Sequence, residues 1–249
     1  MPTLKAARTK APERREIGLV DLPAETLLTV VVDGRPLARL SCSPFGRREL
    51  ALGWIFSQGL IASADDLASL RLAGNRALAR RQRGVGGAGM RFDPAQVTAP
   101  SGGAMPARRY AVPPRVRRGF EFTLAQAVAL MEQLPGRASR FRRHGGIHCS
   151  MLSDMARRRI LASREDIGRS NSVDKVIGWG LAAGVDFGRC GLFTTGRVSA
   201  EMALKCLQAG IPLLVSQTTL TTRALAIVHR SGLALVGHVL KPRPILINY

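Results

Sequence analysis

The sequence has few aromatic residues and no long apolar run. Phe, Trp and Tyr make up 5% of its 249 residues, which leaves little material for the stacking platforms of single-strand nucleic-acid binders. No apolar run approaches the roughly 18–20 residues that a membrane-spanning helix needs. Residues 1–16 contain no apolar segment of the kind that secretory signals carry. We therefore expect a cytoplasmic protein without a membrane partner.

Cysteine is scarce and scattered. The four cysteines, Cys42, Cys149, Cys190 and Cys206, form no CxxC pair and have no metal-ligand spacing. A disulfide framework is not expected in a chain without a secretory signal. The pattern favours four buried small side chains or stray thiols, and it predicts no metal site.

Acidic residues are also few. The chain has 17 Asp and Glu residues but 37 Lys and Arg residues, which gives a formal net charge of +20. Between Arg71 and Arg118 the chain has eleven Arg, no Lys and one acid, Asp93. Such a cluster indicates an anionic partner, and the planar guanidinium suits phosphate because it binds two oxygens at once. A codon bias toward Arg is the alternative. Only Phe92 and Tyr110 lie among these arginines, which disfavours nucleic acid as the partner.

The composition changes along the chain and divides it into four regions. Residues 1–16 are predicted to be a disordered basic tail. Residues 17–73 hold two apolar runs joined by an Asp-Gly turn and then a helical pattern, so we predict a β-hairpin and a helix. Residues 74–122 are rich in Gly, Pro and Arg and predict a long loop region. Residues 123–249 are predicted to be an α/β core.

In that core, apolar strands alternate with helices of about twelve residues, which is typical of βαβ crossovers and of a parallel or mixed sheet covered on both faces. Three of the strand-to-helix junctions are polar: REDIGRSNS, GRVSAE and QTTLTT. Ligands of α/β sheets bind beyond the carboxyl ends of strands, and helix amino ends favour anions. We predict a shared ligand site there, although Asn171, Ser199 and Thr221 could simply cap their helices.

Four motifs carry a family resemblance: HGGIHCS, EDIGRSNSVDKVIG, TTGRVSAEMALK and SQTTLTTRALAI. They resemble the FdhD/NarQ family, the formate dehydrogenase accessory sulfurtransferases. The hairpin and helix near the amino terminus and the final LVGHVLKPRPILINY are also similar to the family. The resemblance covers roughly residues 16–249.

The resemblance implies a cytidine deaminase-like, three-layer α/β/α fold with a small amino-terminal hairpin and helix element. It implies an accessory function in formate dehydrogenase maturation. Sulfur would pass from a cysteine desulfurase to the molybdenum bis-guanine-dinucleotide cofactor, which is bound as cargo. The implied partners are cysteine desulfurase and formate dehydrogenase, with a homodimer as a further expectation. A zinc deaminase activity is not expected, because the HxE…PCxxC ligand set is absent.

The resemblance places the cofactor in a pocket formed by the polar junctions, the HGGIHCS motif and the carboxy-terminal segment. Glu165 and Asp166 would accept hydrogen bonds from guanine or pterin, while Arg169 and Lys175 would pair with phosphate or support the loop. A lone His148 could also be purely structural. The predicted cofactor-binding residues are His148, Glu165, Asp166, Arg169, Asn171, Asp174, Lys175, Gly196, Arg197, Ser199, Glu201, Thr221, His238, Val239, Leu240, Lys241, Pro242 and Arg243.

The chain departs from the family at its sulfur-carrying loop, which normally reads like G-C-G-x-C-G. Gly87 and Met90 stand at the cysteine positions, and neither can form a persulfide, because that chemistry needs a thiolate. Ser170 replaces a family histidine. Cys149 is the one thiol in a family motif and the one candidate for a substitute sulfur carrier, but alternation along a strand turns it away from the face of His148. We predict no sulfur transfer by the usual route, and whether the protein is an enzyme stays open. The alternative function is a non-catalytic cofactor- or nucleotide-binding paralogue.

Overall fold

The computed structural model describes residues 22–85 and 113–249, which form two β-sheets and the helices packed on them. The tail predicted at residues 1–16 and the positions Gly87 and Met90 lie outside the described residues. No helix in the two described ranges is long and apolar enough to cross a membrane.

The smaller sheet has four strands in the order β2-β1-β4-β3. Its strands are β1 Thr26–Val32, β2 Arg35–Cys42, β3 Leu67–Ala73 and β4 Arg76–Arg81. Asp33 and Gly34 turn between β1 and β2 with φ of 49° and 81°, a left-handed conformation that glycine adopts without strain. Helix α1, Arg47–Ser57, follows the hairpin. The predicted hairpin and helix are thus confirmed.

Strand β4 lies inside the stretch that the sequence pattern predicts as a loop. Its inward residues, Ala77 and Ala79, are buried, but alanine gives only a weak apolar alternation between arginines. The strand is held by antiparallel pairing with β3 and by parallel pairing with β1, which lies more than 40 residues earlier in the chain. That distant pairing, rather than local propensity, stabilises β4, and this is why the sequence pattern missed it.

The larger sheet has six strands in the order β10-β9-β8-β7-β5-β6. Strands β7, β8 and β9 are parallel, whereas β5 runs antiparallel to both of its neighbours, β6 and β7. This mixed sheet agrees with the predicted α/β class. The strands are β5 His148–Asp154, β6 Arg159–Asp166, β7 Cys190–Thr194, β8 Leu213–Ser216, β9 Ala234–Gly237 and β10 Ile245–Ile247.

Helices cover both faces of the larger sheet. They are α2 Leu124–Glu132, α3 Leu134–Arg137, α4 Ser139–His144, α5 Arg169–Ala182, α6 Ala200–Ala209 and α7 Thr222–Ser231. Side chains of α1, α5, α6 and α7 share one apolar core with the inward residues of the smaller sheet. Side chains of α2 and α3 share a second core on the opposite face. The result is three layers, helix on sheet on helix.

Helices α1 and α5 cross at unusually close range. A Cβ atom on Gly178 would lie 2.0 Å from the backbone oxygen of Glu49, and one on Gly53 would lie 1.9 Å from that of Asp174. Only glycine leaves room for this approach. The contact places the amino-terminal element against the helix that follows the polar EDIGR motif.

Candidate functional site

The three polar junctions lie at one edge of the larger sheet. Because β6 and β7 both run antiparallel to β5 between them, they point the same way, and β8 and β9 are parallel to β7. The carboxyl ends of these four strands therefore meet at the edge where β5 begins with His148. The register pairs His148 with Asp166 and Ser150 with Thr194 across this edge. The shared edge is what the sequence pattern predicts.

A cleft of about 620 Å³ opens at this edge. It lies between the start of β5, the ends of β7 and β8, helix α4 and the carboxy-terminal segment. Its lining residues are Phe141, Gly145, Gly146, Ile147, His148, Thr195, Gln217, Thr218, Leu240 and Lys241. We call it the sheet-edge cleft.

Hydrogen bonds fix the floor of the sheet-edge cleft. Cys149 N donates to Thr195 Oγ1 at 3.0 Å, and Gly196 N donates to Thr194 Oγ1 at 3.1 Å. Ser216 Oγ donates to the carbonyl oxygen of Gly196 at 2.9 Å. These hydrogen bonds join the strand ends to the loops, so the backbone on this side of the cleft is held in place before a ligand binds.

Two buried nitrogen atoms beside this floor have no hydrogen-bond partner among the described residues: His148 Nδ1 and Arg169 Nε. Gly196 allows them to come together, because a Cβ there would lie 2.8 Å from Arg169 Cβ and 3.5 Å from His148 Nδ1. Burial lowers the pKa of His148, and the positive charges of Arg169 and Arg197 lower it further. Buried polar atoms are usually satisfied, so a ligand or an ordered water molecule is expected to complete the hydrogen bonding of these two.

The electrostatics of the edge favour an anion. Arg197 and Lys241 are exposed there and Arg169 is half-buried. Helices α5, α6 and α7 also begin at this edge, with their unpaired N–H groups and positive dipole ends. Cationic side chains and helix amino ends together suit phosphate oxygens.

Several predicted site residues bind one another inside the protein instead of lining the cleft. Glu165 accepts hydrogen bonds from Phe141 N at 2.7 Å and from Arg140 at 3.5 Å. Lys175 Nζ donates to the carbonyl oxygen of Glu165 at 3.0 Å and forms an ion pair with Asp166 at 2.6 Å. Lys175 and Asp166 are fully buried. Of the two roles predicted for Lys175, the structure therefore shows loop support.

A second buried network joins α5 to α6. Lys205 Nζ lies 2.5 Å from Asp174 Oδ2 and 3.0 Å from Glu201 Oε1, and it donates to Ser170 Oγ at 2.7 Å. Ser57 donates to the other oxygen of Asp174 at 2.9 Å. Burial raises the pKa of Asp174 to about 6, although Lys205 opposes that shift. Burial alone would lower the pKa of Lys205, but Asp174 and Glu201 raise it above its ordinary value.

Three further predicted residues make structural contacts within the protein. Asn171 Nδ2 donates to the carbonyl oxygen of Ser41 at 2.7 Å and to Asp166 Oδ1 at 3.0 Å. Ser199 and Thr221 cap α6 and α7 by accepting backbone N–H groups at 3.4 and 3.2 Å. Capping was the structural alternative for all three residues. It is confirmed for Ser199 and Thr221 but wrong for Asn171, which lies inside α5 after the cap residue Gly168.

The carboxy-terminal segment, residues 238–243, borders the cleft. His238 adopts a left-handed conformation with φ of 51°, and its N–H donates to the carbonyl oxygen of Thr218 at 2.8 Å. Val239 is buried in the core. The exposed residues of the segment are Leu240, Lys241, Pro242 and Arg243, of which Leu240 and Lys241 line the cleft.

The predicted cofactor-binding residues omit several residues that line the cleft, although Gln217 and Thr218 belong to the QTTLTT junction where the ligand site is predicted. Thr195, Gln217 and Thr218 immediately follow β7 and β8, so their place at strand ends was a usable signal. Phe141 lines the cleft because its N–H donates to Glu165, which holds the start of α4 against the edge. This contact joins separate parts of the chain, so no local sequence pattern predicts it.

All four cysteines of the chain lie in the described residues and are buried. Cys149 packs in the core under α2, together with Met151, on the face of β5 that looks away from the network around α5. Burial raises the pKa of Cys149, Cys190 and Cys206 to about 12 and that of Cys42 to about 11. None is poised to form the thiolate that persulfide chemistry needs.

Comparison with known proteins matches the chain to one family over most of its length. A model of the FdhD/NarQ family matches residues 23–246. The protein named Sulfur carrier protein FdhD from Geobacillus kaustophilus (strain HTA426) is 28% identical over 222 residues, covering 87% of this chain and 84% of the relative. Its namesake from Anaeromyxobacter dehalogenans (strain 2CP-C) is 30% identical over 244 residues, covering 88% and 83%.

A solved structure shares the fold. The crystal structure of a protein described as a formate dehydrogenase accessory protein from Desulfotalea psychrophila superposes with a TM-score of 0.77 at 22% identity. The match covers 99% of this chain and 96% of that one. At this level of sequence identity the structural similarity shows a shared fold and nothing about function.

Proposed function

Since the chain belongs to the FdhD/NarQ family, we propose that it is an accessory protein of formate dehydrogenase maturation. In this proposal it binds the molybdenum bis-guanine-dinucleotide cofactor as cargo in the sheet-edge cleft. The observation that carries the proposal is the cleft itself, with the buried, unpartnered nitrogens of His148 and Arg169 beside it.

The chemistry of the cleft fits a phosphate-bearing nucleotide. The cofactor carries two diphosphates, and Arg169, Arg197 and Lys241 supply positive charge where three helix amino ends converge. Thr195 and Gln217 add neutral donors and acceptors that a guanine edge could use. A volume of about 620 Å³ falls within the usual range for small-molecule sites and suits one nucleotide-sized part of the cofactor.

The finer fold assignment belongs to the same proposal. We take the larger sheet and its two helical layers to be the cytidine deaminase-like arrangement of the family. Its support is the mixed six-stranded sheet with helices on both faces.

A second candidate function is favoured by the cysteines. The family role would draw sulfur from a cysteine desulfurase, but all four thiols of this chain are buried with raised pKa values. The chain would then bind the cofactor and present it to formate dehydrogenase without carrying sulfur on a cysteine of its own. In this second candidate function the sheet-edge cleft binds the cofactor, and no cysteine of the chain forms a persulfide.

Arg197→Ala tests the cleft. Loss of a charge-assisted contact to phosphate should weaken the binding of GDP, a fragment of the cofactor, by about tenfold to a hundredfold in calorimetry, equivalent to about 1.5–3 kcal/mol. The matched control is Arg189→Ala, because Arg189 is exposed just before β7, at the opposite edge of the same sheet. Equal GDP affinity in wild type and Arg197→Ala would remove Arg197 from the site.

A further inference from the structure

Among residues 22–85 and 113–249, one face of the smaller sheet carries several exposed side chains. The other, inner face packs on α1 through residues such as Leu28, Val30 and Leu40. The side chains between them point the other way, because successive residues of a strand face opposite sides. On this outer face Leu27 is 48% exposed, and Arg39, Arg71, Arg76 and Arg80 are all exposed.

On this outer face, arginine side chains lie around a few apolar side chains. Strand register places Arg39 and Arg76 on either side of Thr29, and Arg71 beside Leu78, which pairs with Val31. Val31 is buried, with 3% of its surface exposed, and Leu78 is half-buried, so the exposed apolar surface of this face comes mainly from Leu27 and Leu78. Arginines from three strands thus surround a small apolar patch at the middle of the sheet.

Three of the arginines on this face have no acidic partner in the described part of the chain. Arg39, Arg71 and Arg76 form no ion pair within residues 22–85 and 113–249. Acidic residues stand at its two ends. Glu25 accepts a hydrogen bond from Ser41, and Asp33 is already bound by Arg81 at 2.7 Å. An acidic surface laid on this face would therefore meet guanidinium groups that have no competing carboxylate.

We propose that the outer face of the smaller sheet is a docking surface for an acidic protein partner. An apolar centre with arginine around it is the usual anatomy of a protein–protein interface. Single-stranded nucleic acid fits less well, because Leu27, Thr29, Val31 and their outward neighbours on the other strands include no aromatic ring on which bases could stack. The inference is independent of the sheet-edge cleft, which belongs to the other sheet.

The remaining parts of the chain are poor occupants of this face. Residues 1–21 and 86–112 each carry more Lys and Arg than Asp and Glu. Their charge has the same sign as that of the face, so electrostatics disfavours self-association with it. A separate, acidic chain is the occupant that charge complementarity selects.

The test measures how the whole chain binds a fluorescent peptide of alternating Glu and Leu, and a short duplex DNA, at one fixed salt concentration. The combined variant Arg39→Glu, Arg71→Glu and Arg76→Glu should bind the peptide about tenfold or more weakly, because three attractive charges become repulsive. The conservative variant Arg39→Lys, Arg71→Lys and Arg76→Lys should keep most of the affinity, which separates loss of charge from misfolding.

The matched control reverses three exposed arginines elsewhere, Arg158→Glu, Arg159→Glu and Arg189→Glu, with the same change in net charge. It should bind the peptide within about twofold of the wild type. An equal loss in both reversed variants would show that net charge alone attracts the peptide and would overturn the proposal. Unchanged peptide binding, or a loss confined to DNA, would overturn it as well.

Discussion

At the scale of single residues, the buried charges have a structural role where the sequence pattern suggested ligand contacts. Asp174 and Glu201 share Lys205, so two carboxylates face one ammonium group in a fully buried position. The desolvation of Asp174 outweighs the attraction of Lys205, and its pKa rises to about 6. Charges that are this well enclosed bind each other, and of the predicted residues it is His148, Leu240 and Lys241 that line the cleft.

The raised pKa of Asp174 predicts a specific pH dependence of stability. An unfolded chain releases this proton near pH 4, whereas the folded chain holds it until about pH 6. The folded state therefore binds more protons in this window, and the contribution of Asp174 to the free energy of unfolding falls as pH rises from about 4 to about 6.

Asp174→Asn should remove this dependence. Relative to the wild type, the free energy of unfolding of the variant should rise by about 3 kcal/mol between about pH 4 and about pH 7, since two pKa units correspond to about 3 kcal/mol. Urea titrations at several pH values measure the difference. A difference between the two proteins that stays constant over this range would contradict the assignment.

At the scale of elements, the crossing of α1 and α5 joins the smaller sheet to the larger one. The two helices approach until backbone meets backbone at Gly53 and Gly178. Since Glu49 and Asp174 both lie at this crossing, the same contact also positions the start of α5 and, with it, the polar edge of the larger sheet. Small residues at two positions thus control the packing of a whole layer.

Gly178→Ala should destabilise the protein by about 3 kcal/mol or more, because a methyl group 2.0 Å from the Glu49 carbonyl oxygen forces the helices apart. The control is Gly136→Ala in α3, where an added Cβ meets nothing within 4 Å and no loss of stability is expected. Urea denaturation of both variants gives the comparison. Similar stability of Gly178→Ala and wild type would show that the two helices leave room for a methyl group at their crossing.

At the scale of the whole molecule, every thiol is enclosed in a core. Cys42 and Cys206 belong to the core that spans both sheets, and Cys149 belongs to the core under α2. A sulfur carrier must expose its thiolate to a donor enzyme and to the cofactor, and none of these positions allows that. The burial of all four thiols therefore agrees with the second candidate function proposed above, in which no cysteine of the chain carries sulfur.

Incubation with a cysteine desulfurase and labelled cysteine tests this conclusion. We expect no persulfide on the folded protein by mass spectrometry, while all four thiols should react with an alkylating reagent once the chain is unfolded in guanidinium. Label on Cys149 that disappears in Cys149→Ala would instead identify a rewired sulfurtransferase.

The sequence by itself determined the α/β class, the amino-terminal hairpin and the edge where the polar junctions meet. Apolar periodicity and an Asp-Gly turn are local signals, and the direction of crossover connections follows from them. It also predicted that Gly87 and Met90 cannot carry sulfur, a chemical fact that needs no structure.

Tertiary structure alone decided which polar residues face the cleft. Glu165 and Asp166 resemble ligand-binding residues in the sequence, but Phe141 and Ser43, which donate hydrogen bonds to them, come from other parts of the chain. Strand β4 and the outer face of the smaller sheet likewise depend on the pairing of β1 with β4. A side chain turns inward or outward according to what packs against it, and for these residues the packing elements lie far away in sequence.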